Sequence, residues 1–167
     1  RAVPVGDPRD PATVVGPVID DRAAARIVEW IDEAAASGAR VLTGGSREGR
    51  LVAPTIVETA SPDLRISSEE VFGPVVVLDR YTDFAEAVDR VNRSQYGLQA
   101  SVYTHDVRRI RHAFADLEVG GVIVNDSPMV RMDNYPYGGV KASGQGREGV
   151  RAAMDDMTEP RVQVTRT

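Results

Sequence analysis

Two short stretches hold most of the residue types that chemistry would use. One is Glu69-Glu70-Val71-Phe72-Gly73-Pro74. Paired carboxylates beside an aromatic are unusual directly before an apolar run such as Val75 to Leu78, although a polar turn is the plainer reading. The other runs from Pro136 through Tyr137, Gly138, Gly139, Lys141, Ser143, Gly144, Gly146 and Arg147 to Glu148. Its closely spaced glycines let the backbone pass close to a ligand or to another chain. The spacing is neither a phosphate-cradling P-loop nor the dinucleotide fingerprint, because no strand-to-helix G-x-G-x-x-G is present. There is no cysteine, so disulfides, thiolate metal sites and cysteine nucleophiles are absent from these residues. With His105 and His112 as the two histidines, no metal site is expected.

These stretches need a scaffold, and 167 residues suit one domain. Apolar residues at 42% and charged residues at 27% are ordinary for a globular chain. A net charge of −5 argues against nucleic acid as a partner. No uninterrupted apolar run is long enough to span a membrane. With no apolar leader after Arg1, the chain reads as a cytoplasmic protein or a piece of one.

Residues 1–20, rich in Pro and Gly and including Gly6-Asp7-Pro8 and Gly16-Pro17, are expected to be an extended lead-in. A helix follows over 21–37, with Ala23, Ile27, Ile31 and Ala34 at helical spacing and Gly38 as its stop. Strands are expected over 39–43, 54–59, 98–104, 119–124 and 161–164. Val75 to Leu78 reads as a strand buried on both faces. A second helix starts at Asp83 with Glu86 completing a capping box. A third covers 106–117, with Val107, Ile110, Phe114 and Leu117 inward and Arg108, Arg109, Arg111 and His112 outward. A last helix is expected over 147–157. This alternation predicts an α/β fold, an open and mostly parallel sheet with helices on both faces. Ligands of such sheets lie beyond the carboxyl ends of the strands, where the loops after Val124 and around 69–73 are expected.

Taken together, the E-E-V-F-G-P run, the P-Y-G-G-x-K-x-S-G-x-G-R-E run, Tyr96-Gly97-Leu98, Gly120-Gly121-Val122-Ile123-Val124-Asn125 and Thr158-Glu159 resemble the carboxyl-terminal part of a NAD(P)-dependent aldehyde dehydrogenase. The resemblance implies oxidation of an aldehyde to an acid, with a cysteine thiolate forming the covalent intermediate and NAD or NADP taking the hydride. The nucleophilic cysteine and most of the coenzyme domain have no counterpart in these residues. The chain is therefore expected to be inactive alone.

Residue by residue, the resemblance makes Glu70 the group that accepts from the nicotinamide ribose hydroxyls and Phe72 the aromatic near the nicotinamide ring. A core phenylalanine is the alternative for Phe72. Glu148 corresponds to a glutamate that in some members joins a proton relay; as a residue of a helix's first turn it could instead serve the dipole. Arg147 and Glu159 match a structural pair near a subunit interface, and Lys141 and Asn125 match structural positions. The loop 126–137 matches the aldehyde entrance. There Tyr137 could pack on the aldehyde, and Arg131 could pair an anionic tail bidentately or stay solvated. Members with a similar loop act on small polar aldehydes such as lactaldehyde or phosphonoacetaldehyde. The resemblance also divides the chain into catalytic-domain residues 1–159 and an oligomerisation strand over 160–167, with a homo-oligomer as the expected state. A non-catalytic assembly module is the alternative reading.

Overall fold

The computed structural model describes residues 3–59 and 61–167, so Arg1 and Ala2 of the lead-in lie outside the described residues. The chain divides into two compact units, Arg1–Arg80 and Tyr81–Thr167.

In the first unit, helix α1 (Asp21–Ala36) is capped by Asp20, whose carboxylate accepts from the Ala23 N–H, and Gly38 follows it at φ 93°. Strand β1 (Arg40–Thr43) pairs antiparallel with β4 (Thr55–Glu58), and β4 pairs parallel with β5 (Val75–Leu78), giving the order β1-β4-β5. A short hairpin, β2 (Arg47–Glu48) with β3 (Leu51–Val52), and a single-turn helix α2 (Arg65–Ser68) complete the unit. Ala24, Ile27, Ile31 and Ala34 of α1 close over Val52, Val57 and Ile66 as one buried cluster. The lead-in is more ordered than its composition predicts: Val5 bridges Val15, and the Gly6 N–H donates to the Val15 carbonyl. Strand β5 is not buried on both faces. It is the edge of its sheet, and Val76 and Leu78 face outward.

Glu58 ends β4 between two guanidinium groups, with Arg80 Nε 2.6 Å from Oε1 and Arg40 on Oε2. Arg80 and then Arg40 hold its carboxyl below the ordinary value of 4.5. A lowered native value means the stabilisation is complete above 4.5 and is lost as pH falls through the lowered value. Thermal melts over an acid series should therefore show wild type losing more stability than Glu58→Gln; parallel curves would contradict the assignment.

In the second unit, α3 (Phe84–Asn92) and α4 (Val107–Asp116) begin at side-chain caps from Asp83 and Asp106. Strand β7 (Gln99–Val102) runs through α4 to a parallel partner, β8 (Gly121–Val124). Strand β6 (Tyr96–Gly97) pairs antiparallel with β9 (Val140–Lys141), and α5 (Val150–Asp156) follows the glycine-rich loop. The expected stripe on α4 is corrected: Val107 and Phe114 are exposed, and Ala113 is the buried residue. His112 packs edge-on to the Phe84 ring at 5.4 Å between centres, while Arg109 stays exposed as expected, its guanidinium 5.6 Å from the same ring centre. The expected strand 161–164 does not form. Val162 and Val164 are exposed, and this segment has no ladder partner among the described residues. The architecture is α/β with open sheets, and parallel pairing holds the strand pairs β4–β5 and β7–β8.

Candidate active site

In the first unit, two anchors on α1 shape the loop from Glu69 to Pro74. Arg26 Nη2 donates to the Val71 carbonyl at 2.8 Å, and the Arg26 guanidinium stacks 4.8 Å from the Trp30 ring centre. Gly73 lies directly on α1: a Cβ there would come 2.5 Å from Ile27 Cδ1. Between these anchors Phe72 sits at φ 50°, an outlier for a bulky side chain and worth about 1–3 kcal/mol of strain. Such strain persists only where the surroundings over-determine it, as Arg26 and Gly73 do here. The Phe72 ring is 74% exposed, so it is no core phenylalanine. Glu70 is exposed beside it and enters no ion pair among the described residues. One expectation is corrected: this loop feeds the amino end of β5, not the carboxyl end of a strand. Thr55 N–H reaches the Pro74 carbonyl just before that strand begins.

In the second unit, Asn125 follows β8 at φ 58°, a conformation its short polar side chain tolerates. Its amide grips Thr104 at both ends, Oδ1 accepting from the Thr104 N–H at 2.8 Å and Nδ2 donating to the Thr104 carbonyl at 3.0 Å. Further along the loop, the Val130 carbonyl accepts from the Tyr135 hydroxyl at 3.0 Å and from Gln99 Nε2 at 3.3 Å. The next residue, Arg131, has its Nη2 3.2 Å from Glu148 Oε2 and its guanidinium 4.4 Å from the Tyr137 ring centre. Tyr137 and Glu148 face each other across an antiparallel bridge with backbone bonds of 3.0 and 2.6 Å. Arg131, Tyr137 and Glu148 thus meet at one place, beside a cavity of about 270 Å³ lined by Gln99, Gly121, Val130, Tyr135 and Tyr137.

Two expectations in this loop need correction. Glu148 does not lie in the first turn of a helix. Gly149 at φ 122° separates it from α5, so it is a bridge residue whose carboxylate meets Arg131. Arg147 does not meet Glu159; its Nη1 donates to the Gly139 and Gly146 carbonyls at 2.9 and 2.7 Å and so folds the glycine-rich loop on itself. Lys141, at φ 57°, ties the same loop to the end of α3 by donating to the Asn92 carbonyl at 2.7 Å and pairing with Glu118 at 2.8 Å. Phe72, Asn125 and Lys141 are the non-glycine residues at positive φ among those described, and each was singled out from sequence. Arg26, Gln99 and Tyr135 were not. They act on backbone carbonyls, which leave no motif, although a basic residue beside Ile27 on an apolar helix face was a visible signal for Arg26.

The family described as "Aldehyde dehydrogenase family" matches residues 1–163. The chain belongs to the aldehyde dehydrogenase family. It is 44% identical over 158 residues to a 3-sulfolactaldehyde dehydrogenase of Priestia aryabhattai, covering 95% of this chain and 33% of the relative. It is 35% identical over 167 residues to a lactaldehyde dehydrogenase of Methanococcus aeolicus, covering 100% of this chain and 36% of the relative. Among solved structures, aldehyde dehydrogenase 21 from Physcomitrella patens, in complex with the reaction product succinate, superposes with a TM-score of 0.94 at 48% identity over 98% of this chain and 34% of that one. A glyceraldehyde-3-phosphate dehydrogenase from Methanocaldococcus jannaschii complexed with NADP gives 0.87 at 39% identity, covering 93% of this chain and 34% of that one. A Mycobacterium tuberculosis aldehyde dehydrogenase complexed with NAD+ gives 0.87 at 32%, covering 95% and 33%. The chain spans about a third of the length of these relatives. No helix among the described residues is long and apolar enough to cross a membrane.

Proposed function

We propose that this chain supplies the nicotinamide-facing and aldehyde-facing surfaces of an enzyme that oxidises a small aldehyde with an anionic tail to its acid, using NAD or NADP. The observation that carries the reading is the strained, outward-held Phe72 next to an exposed Glu70. A fixed aromatic face and an unpaired carboxylate suit a nicotinamide ring and two adjacent ribose hydroxyls. The coenzyme, when bound, supplies the acceptor for the hydride. Tyr137 offers a flat apolar face to the carbon chain of the aldehyde. Arg131 offers a planar fork of donors to a sulfonate or carboxylate at its far end. The sulfolactaldehyde and succinate in the names of relatives carry such a group. Glu148 holds or moves a proton beside them. The thiolate that forms the covalent intermediate comes from outside these residues, since none is a cysteine. A cytoplasmic location belongs to the same reading, because nicotinamide coenzymes are held inside the cell.

Turnover tests this directly. The full-length protein, offered sulfonated, carboxylated and neutral aldehydes of equal length with NAD and with NADP, should reduce coenzyme fastest with the anionic ones. No reduced coenzyme with any of them would overturn the proposal.

Residues 160–166, with Val162 and Val164 exposed in alternation, form the assembly strand in this reading and pair with a neighbouring subunit. Deleting them should shift the protein towards monomer in sedimentation; an unchanged distribution would remove that role.

A further inference from the structure

We propose that Gln99 and Tyr135 are positioning residues for substrate choice. Both hold the Val130 carbonyl, and through that peptide they preset Arg131 for the anionic tail of the aldehyde. This rests on the reading of Arg131, given above, as the group that meets that tail.

The peptide between Val130 and Arg131 is planar, so whatever fixes the Val130 carbonyl also fixes the direction of the Arg131 N–Cα bond. Two donors meet that oxygen from different elements. The Tyr135 hydroxyl reaches it at 3.0 Å from within the loop, and Gln99 Nε2 at 3.3 Å from β7. The loop is held at its root by Asn125 on Thr104 and at its end by the Tyr137–Glu148 bridge. Arg131 lies between these points, and burial does little to anchor it: Met129, Arg131 and Met132 are all exposed. The Val130 carbonyl is therefore the tie that places the backbone from which the guanidinium reaches the Tyr137 ring.

Gln99 makes this contact at the expense of its own pairing. Its partner in the β7–β8 ladder is Gly121, where a Cβ would stand 3.4 Å from Gln99 Cγ. The bare glycine leaves the side chain room to lie across β8 and reach Val130. In that position Oε1 is buried and accepts from no group among the described residues. A buried acceptor without a donor disfavours the fold, and natural chains keep such groups chiefly where function calls for them. An apolar residue of the same length would remove that cost and lose the hold on Val130. A guanidinium already in place binds a tail more tightly than one whose backbone must first be ordered. A neutral aldehyde makes no use of Arg131 and does not sense the loss.

The test uses the full-length enzyme with an anionic and a neutral aldehyde of equal length. Gln99→Met should raise KM for the anionic aldehyde about two- to tenfold, the value of one hydrogen bond, and leave KM for the neutral aldehyde near wild type. Tyr135→Phe, which removes a single oxygen atom, should give the same split, and it is read alone if Gln99→Met does not fold. In an Arg131→Met background neither change should raise KM for the anionic aldehyde further, because both act through Arg131. Gln99→Met should also melt no lower than wild type. A lower melting temperature with KM raised alike for both aldehydes would make Gln99 a structural residue and overturn the role. So would unchanged KM for the anionic aldehyde in Gln99→Met and Tyr135→Phe while Arg131→Met raises it; the reading of Arg131 then stands. If Arg131→Met itself leaves that KM unchanged, the substrate reading fails.

Discussion

Gly120→Ala is expected to unfold the glycine-rich loop and lower the melting temperature of the chain more than any other single methyl added to it. A Cβ at Gly120 would come 1.6 Å from the Gly138 carbonyl oxygen, 2.7 Å from its carbon and 3.0 Å from the Leu98 oxygen. All three are backbone atoms, so no side-chain rotation relieves the overlap, and β7–β8 must separate from the loop. The cost is about 3 kcal/mol or more, at the upper end of overpacking. For a chain of this size that is a fall of about 6–12 °C. Gly49→Ala is the matched control: its added methyl meets nothing within 4 Å, and its only penalty is φ 55°, about 1 kcal/mol. Melting curves that coincide for the two variants would show that Gly138 does not pass Gly120 as closely as described. The contact bears on function because Gly138 follows Tyr137 directly, and its position fixes the ring under Arg131.

Glu70→Gln should slow hydride transfer in the full-length enzyme by about 10- to 150-fold, the value of one charge-assisted hydrogen bond at 1.5–3 kcal/mol. Glutamine keeps the size of the side chain and one acceptor oxygen but loses the charge with which a carboxylate accepts from two hydroxyls at once. The coenzyme dissociation constant, measured by titration, should change much less than the transient rate of hydride transfer, because the ribose hydroxyls orient the ring. Equal transient rates in wild type and variant would remove Glu70 from the coenzyme site.

Three of the helices were legible because each begins with a local chemical signal, whereas α2 and α5 begin without a side-chain cap. Asp20, Asp83 and Asp106 all accept from backbone N–H groups at the starts of α1, α3 and α4. The four-residue strands were legible from apolar runs, whereas the two-residue pairs β2–β3 and β6–β9 are too short for any periodicity to show. Val107, Phe114 and β5 were misjudged for a shared reason. Sequence tells which residues are apolar, but not which of them other atoms of the same chain will cover. The tail failed in the same way: alternation over 161–164 marks a strand, but a strand needs a partner. At the site, the residue types were legible and their contacts were not. The family resemblance paired Arg147 with Glu159, yet two carbonyls of the folded loop lie within its reach. Glu148 looked helical, but Gly149 at φ 122° sets the start of α5 at Val150. Arg26 was hidden because what it holds is the carbonyl of Val71, and any residue at that position carries one.

The central claim, that Glu70 and Phe72 form the nicotinamide-facing surface, is tested most directly by a crystal structure of the full-length enzyme with its nicotinamide coenzyme bound. The expected result is a Glu70 carboxylate within hydrogen-bonding distance of the nicotinamide ribose hydroxyls, the Phe72 ring against the nicotinamide, and Phe72 still at positive φ with Arg26 on the Val71 carbonyl. A coenzyme whose ribose is held by other residues, with Glu70 turned to solvent, would contradict it.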